Sequence, residues 1–171
     1  MAKKIIITGG LGYIGTELCK IYSGVSWHHK ITVIDNRFIS ERVNQLRNWN
    51  MEFIQGDILD KELIKKYCKD ADIVHHLAGV TEVPRTKNES SIEKDKKIKL
   101  VGENGTQNIL DSISNKCKII FPSTHVVYEG INEVKTDIKE GEETKPILSY
   151  SSSKAINEKQ LKDSGKNYVI L

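Results

Sequence analysis

The run KIIITGGLGYIG, residues 4–15, constrains this chain more than any other stretch. Ile5, Ile6, Ile7 and Thr8 are β-branched and favour a strand, and Gly9, Gly10, Gly12 and Gly15 follow at once. Ile14, Leu18, Ile21 and Val25 then fall at three- and four-residue steps, which predicts a helix with that stripe turned to a core. Glycine is needed where a side chain would block the turn, keep the backbone from a pyrophosphate, or hold the helix off the sheet. The first amides of the helix are free to meet phosphate oxygens. The glycines fit two registers, Gly10/Gly12/Gly15 and Gly9/Gly12/Gly15, and both end at the same helix start.

The rest of the chain repeats the alternation. Short apolar runs at Lys4–Thr8, Ile31–Asp35, Met51–Gln55, Asp72–His76, Lys118–Pro122 and Tyr168–Leu171 are separated by segments mostly of helical spacing. One of these carries Ile98, Val101, Gly105 and Ile109 in the helical rhythm. The pattern is β-α-β-α with a buried parallel sheet. The polar stretch from Val80 to Ser91 reads as a loop, and the lysine-rich EKDKKIKL at 93–100 as a solvated helix face. A length of 171 residues suits one such unit.

Composition removes several function classes. The 26 basic and 23 acidic residues are interleaved and leave a formal charge of only +3, so no nucleic-acid stripe is present. No apolar run reaches the roughly 20 residues of a membrane span, and the N-terminal apolar stretch is too short for a signal peptide. The expectation is a cytoplasmic protein with no nucleic-acid or membrane partner. Cys19, Cys68 and Cys117 are widely spaced with no paired motif, so they are expected to be reduced and structural. His75 and His76 are adjacent on a strand and point to opposite faces, which argues against a metal.

Asp35 closes the second strand twenty positions beyond Gly15, where a carboxylate accepts hydrogen bonds from ribose hydroxyls and repels a 2′-phosphate. That favours NAD over NADP, with Arg37 the residue that could pair with a phosphate instead, and with a plain strand-end turn as the competing reading. Near the end of the chain, Tyr150 and Lys154 are four apart and share a helix face that continues through Asn157 and Leu161 toward the sheet. A phenol loses its proton near pH 10, and an ammonium one turn away would lower that value. The competing reading is a packed tyrosine beside a snorkelling lysine.

TGGLGYIG, Asp57 of GDILD, HLAG at 76–79, NGT at 104–106, PSTHVVY at 122–128 and the Tyr150/Lys154 pair occur in the order found in extended short-chain dehydrogenases/reductases. The chain resembles the NAD-dependent epimerase/dehydratase family, which acts mainly on nucleotide sugars. The resemblance implies a Rossmann-like doubly wound sheet of order 3-2-1-4-5-6 over residues 1–171, with NAD across the switch point. It implies cofactor contacts from Gly9, Gly12, Tyr13, Ile14, Gly15, Asp35, Asn36, Asp57, Ile58, Leu77, Ala78, Gly79, Tyr150 and Lys154. Asp57 and Ile58 would flank the adenine, and Leu77, Ala78 and Gly79 the nicotinamide-side ribose. It also implies a catalytic set of Thr124, at the end of the fifth strand, with Tyr150 and Lys154, and a supporting role for Asn104.

The implied activity is that of a nucleotide-sugar epimerase of the UDP-glucose 4-epimerase type. The alternatives are a related dehydrogenase/reductase and a non-catalytic NAD-binding or sensing module. Dehydration is disfavoured, because His125 and Val126 stand where the family's dehydratases carry an Asp-Glu pair. Glu129 also separates Tyr128 from Gly130 where the family has Val-Tyr-Gly. Family members run well beyond the Tyr/Lys pair, so the substrate-binding region is expected to lie outside this sequence. The apolar last strand leaves pairing with a second copy as a homodimer open.

Overall fold

The computed structural model describes residues 1–80, 86–131 and 133–171. Its centre is a six-stranded parallel sheet of order β3-β2-β1-β4-β5-β6. The strands are β1 (Lys4–Thr8), β2 (Lys30–Asp35), β3 (Glu52–Gln55), β4 (Ile73–His76), β5 (Lys118–Phe121) and β6 (Asn167–Ile170). The helices are α1 (Tyr13–Ser23), α2 (Ser40–Asn48), α3 (Lys61–Cys68), α4 (Ile92–Lys99), α5 (Gly105–Ser112) and α6 (Ser149–Asp163). A π-helical turn, Leu100–Asn104, joins α4 to α5, and a short 3₁₀ turn, His125–Tyr128, precedes the segment leading to α6. The expected strand order holds, with strand ends shifted by a residue. Pro122 falls outside β5 because it has no amide to donate to a ladder.

The strands show no polar alternation because both faces are covered. Ile5, Ile7, Ile31 and Val33 pack with Cys19, Val43 and Leu46 under α1 and α2. Ile6, Ile34, Val74 and Ile119 pack with Ile64, Ile109 and Leu161 under α3, α5 and α6. The chain changes face between β1 and β4, and at that reversal the carboxyl ends of the strands part to leave a crevice. Cys19, Cys68 and Cys117 are free and buried, and burial pushes their thiols up to about 12, 12 and 11.

Two details differ from the sequence reading. The buried side of α1 is Gly15 and Cys19, flanked by Leu18 and Tyr22, whereas Ile14 and Ile21 are 60% and 75% exposed and Val25 lies past the helix end. Gly15 decides this. Its backbone must lie against Gly9 and Gly10, which turns the 15–18–19–22 side inward. In the loop expected from Val80 to Ser91, residues 81–85 lie outside the described residues and Lys87–Glu89 form a 3₁₀ turn.

Leu161 is fully buried and anchors α6 to the sheet. Leu161→Ala is therefore expected to cost about 2–5 kcal/mol, read as a drop in the urea midpoint at unchanged slope.

Candidate active site

Gly9 has φ +70°, and a Cβ there would lie 2.6 Å from the Ala78 amide nitrogen. Its amide is bonded to Ile34 O at 2.7 Å, so the turn is wedged between the ends of β2 and β4. Gly15 is equally tight, since a Cβ would lie 2.5 Å from Gly9 O. By helix geometry the amides of Tyr13, Ile14 and Gly15, at the start of α1, have no acceptor in the helix and face outward from it. The Tyr13 and Ile14 side chains are exposed. Beyond the turn opens a cleft of ≈ 520 Å³. Gly9, Gly12, Asp35, Asn36, Asp57, Ile58, Leu77, Ala78 and Gly79 all line it, which gathers nine of the expected cofactor residues in one place. Gly15 is not among them and serves helix packing.

At the far wall Asp35 is 5% exposed. One of its oxygens accepts from the Leu11 amide at 3.0 Å, and the other from the amide and Nε of Arg37 at 3.0 and 3.3 Å. Asn36 donates to Asp57 at 3.3 Å, and the second Asp57 oxygen accepts from the Leu59 amide, so Asp57 both orders its turn and faces the cleft. Ile58 is a core residue as well, with its carbonyl held by Asn108 at 3.0 Å. Arg37, Gly56, Lys97 and Val101 also line the cleft. Lys97 belongs to the stretch expected to be only a solvated face, and its spacing gave no sign of the crevice beside it.

His75 and His76 do point to opposite faces. His75 accepts from or donates to Tyr22 OH at 2.8 Å. His76 sits between Thr8 Oγ1 at 3.0 Å and Thr106 Oγ1 at 2.9 Å. Burial, helped by Lys154, pulls the His76 pKa down to about 3, so it is a neutral hydrogen-bond bridge. Thr8 Oγ1 also accepts from the Ala78 amide, so the bridge steadies the backbone at the cleft floor.

Tyr150 and Lys154 emerge on one face of α6 into a small cavity of ≈ 20 Å³, shared with Ala78, Gly79 and Val80 at the cleft's inner end. Lys154 Nζ donates to Pro122 O at 2.7 Å and lies 4.2 Å from the Phe121 ring centre, against 6.0 Å from that of Tyr150. Burial lowers its pKa to about 8. The phenol of Tyr150 is raised by burial, not lowered as the spacing suggested, because the ammonium is held by a carbonyl and a different ring. Thr124 lies three residues beyond β5, where its hydroxyl caps the 3₁₀ turn through Val126 N at 3.4 Å, and it is not among the residues lining the Tyr150/Lys154 cavity.

The helix that carries this pair is pinned at several points. Leu148, at its N-cap, has no side-chain acceptor. Glu129 supplies one from the preceding turn, a single oxygen taking the amides of Ile147 and Leu148 at 2.8 and 2.7 Å and the Ser151 hydroxyl. Asp95 of α4 accepts from Ser149 at 2.6 Å. Asn157 and Gln160 donate to the carbonyls of Gly102 and Glu103 in the π turn at 3.1 and 3.0 Å. Asn104, for which the resemblance implied a supporting role, is exposed. The π turn rotates the helix so that Thr106 and Asn108 face inward.

Comparison with known proteins now fits this geometry. A model of the 3-beta hydroxysteroid dehydrogenase/isomerase family matches residues 6–169, and the chain belongs to that enzyme family. It is 34% identical over 132 residues to UDP-N-acetyl-alpha-D-glucosaminuronate decarboxylase of Bacillus cytotoxicus, covering 75% of this chain and 38% of that one. It is 34% identical over 172 residues to dTDP-D-glucose 4,6-dehydratase of Dictyostelium discoideum, covering 90% and 38%. The solved structure of UDP-glucose 4-epimerase from Brucella ovis in complex with NAD aligns with TM-score 0.77 at 28% identity, over 99% of this chain and 51% of that one. The chain thus spans about half the length, or less, of these relatives. The expected kinship with sugar-nucleotide epimerases and dehydratases is met.

Burial alone would raise the pKa of Glu129, but the hydrogen bonds from Ser151, Leu148 and Ile147 outweigh it and hold the carboxyl below 4.5. Its stabilisation is therefore complete above pH 4.5 and lost as pH falls through the folded value. At neutral pH, Glu129→Ala is expected to cost about 1–3 kcal/mol in urea unfolding. Between native chain and Glu129→Gln the gap should narrow in acid, and a gap independent of pH would refute the charged clamp.

Proposed function

We propose that the chain is the cofactor-binding part of an NAD-dependent nucleotide-sugar epimerase, with Tyr150 as its proton carrier. The observation that carries this is the opening of Tyr150 and Lys154 on a cavity that shares Ala78, Gly79 and Val80 with the glycine-lined cleft. The residues present fit a dinucleotide. Gly9 and Gly12 line the cleft with bare backbone, the first amides of α1 suit a pyrophosphate, and Asp35 stands at the ribose end of a cleft of ≈ 520 Å³. NAD bound there supplies the hydride acceptor for oxidation at a sugar carbinol.

The chain's own part is to bind, orient and move a proton. Gly9, Gly12 and the amides of Tyr13 and Ile14 hold phosphate, Asp35 the adenine-side ribose, and Lys154 the ribose nearer Tyr150. The Tyr150 hydroxyl takes the proton of the substrate hydroxyl. Burial holds that phenol protonated until a positive charge arrives beside it, and an ammonium whose pKa is about 8 is easily exchanged between forms at neutral pH. Thr124, seated at the start of the 3₁₀ turn, would orient the hydroxyl. His125 is exposed and Val126 is apolar, so no carboxylate follows Thr124 to remove water, which favours epimerisation over the reaction of the dehydratase relative. Buried, unpaired thiols suit the cytoplasm.

The test is Tyr150→Phe in an NAD-loaded form of the enzyme that includes its substrate-binding region, assayed for conversion of UDP-glucose, UDP-galactose and their N-acetylated forms. Turnover should fall by about 10³-fold or more while NAD affinity shifts by less than roughly threefold. Near-native turnover in the variant would remove Tyr150 from the chemistry.

A further inference from the structure

We infer that Arg37 sets the dinucleotide preference of the cleft by shielding Asp35, so that NADP is admitted alongside NAD. This rests on the cofactor reading above and deepens it. A bare carboxylate at the end of β2 would repel a 2′-phosphate. Here that carboxylate is not bare. Three donors converge on it, from Leu11 and twice from Arg37, and one of them brings a full positive charge.

Position strengthens the effect. The Asp35 side chain is only 4% exposed and that of Arg37 is 51% exposed, so a ligand arriving at the rim meets the guanidinium first. The guanidinium leans over the glycine turn, with Nη2 3.8 Å from where a Cβ of Gly12 would be. Only Nε is used on Asp35. Among the described residues the two Nη groups have no other hydrogen bond, which leaves the paired donors that suit a phosphate. Lys97 lines the same cleft and adds a second positive charge. A phosphate on the adenine-side ribose would therefore meet the Arg37 and Lys97 cations before it meets the Asp35 carboxylate.

Calorimetric titration of the native chain with NAD and with NADP, repeated for Arg37→Ala and Arg37→Lys, tests this. The native Kd ratio of NADP to NAD should lie below about tenfold. It should grow by about tenfold or more in Arg37→Ala, through unshielding of Asp35, and by less in Arg37→Lys, which keeps the charge. The NADP arm of the native chain should weaken more steeply with added salt than the NAD arm. A ratio unmoved in Arg37→Ala while NAD still binds would overturn the shielding role and leave the cofactor reading standing. A native chain that binds neither dinucleotide would overturn both.

Discussion

The structure depends on one close approach of backbones. At Gly9 the end of β1 comes so near the start of the Leu77–Gly79 segment that no side chain fits between them, and Gly15 lets α1 sit on the same turn. This contact holds the carboxyl ends of β1 and β4 together while the chain on either side goes to opposite faces of the sheet. The crevice at the switch point follows from that divergence. Its floor is then fixed by the buried chain Ala78–Thr8–His76–Thr106, in which a neutral imidazole bridges two hydroxyls.

The second requirement is a rigid carrier for Tyr150 and Lys154. α6 has weak intrinsic capping, and its placement comes from neighbours: Glu129 and Asp95 at the N-terminus, the π turn's carbonyls on Asn157 and Gln160, and Leu161 in the core. Placing an ammonium among Pro122, Phe121 and Tyr150 costs hydration, which is why the Lys154 pKa falls to about 8. The π turn ties this helix to the cleft, because Lys97 and Val101 lie just before or within the same α4–α5 run.

The parts legible in the sequence were those written in period and backbone chemistry. The strand spans, the glycine turn, Asp35 and the face shared by Tyr150, Lys154, Asn157 and Leu161 could all be read from spacing, and the strand order from the family resemblance. The parts that were not legible depend on geometry that spacing does not encode. The apolar residues of α1 suggested one stripe, but the steric demand of Gly15 chose another. A π turn shifted the register so that Asn104 went to solvent. Lys97 and Glu129 are ordinary surface types in sequence, and the cleft beside the one and the partners of the other are fixed only when distant segments meet, whereas Arg37, legible as a phosphate partner, turns back on Asp35. Thr124 was placed at a strand end and caps a turn instead.

The central claim is that the glycine-lined crevice, and no other surface, receives the dinucleotide. An amide-resolved nuclear magnetic resonance titration with NAD addresses it directly. The account predicts the largest shifts at Gly9, Gly12, Tyr13, Ile14, Asp35, Asp57 and Ala78, with Trp27 to Lys30 at the opposite rim unmoved. Saturable shifts confined to that opposite rim, or a glycine turn that stays silent while NAD binds, would contradict it.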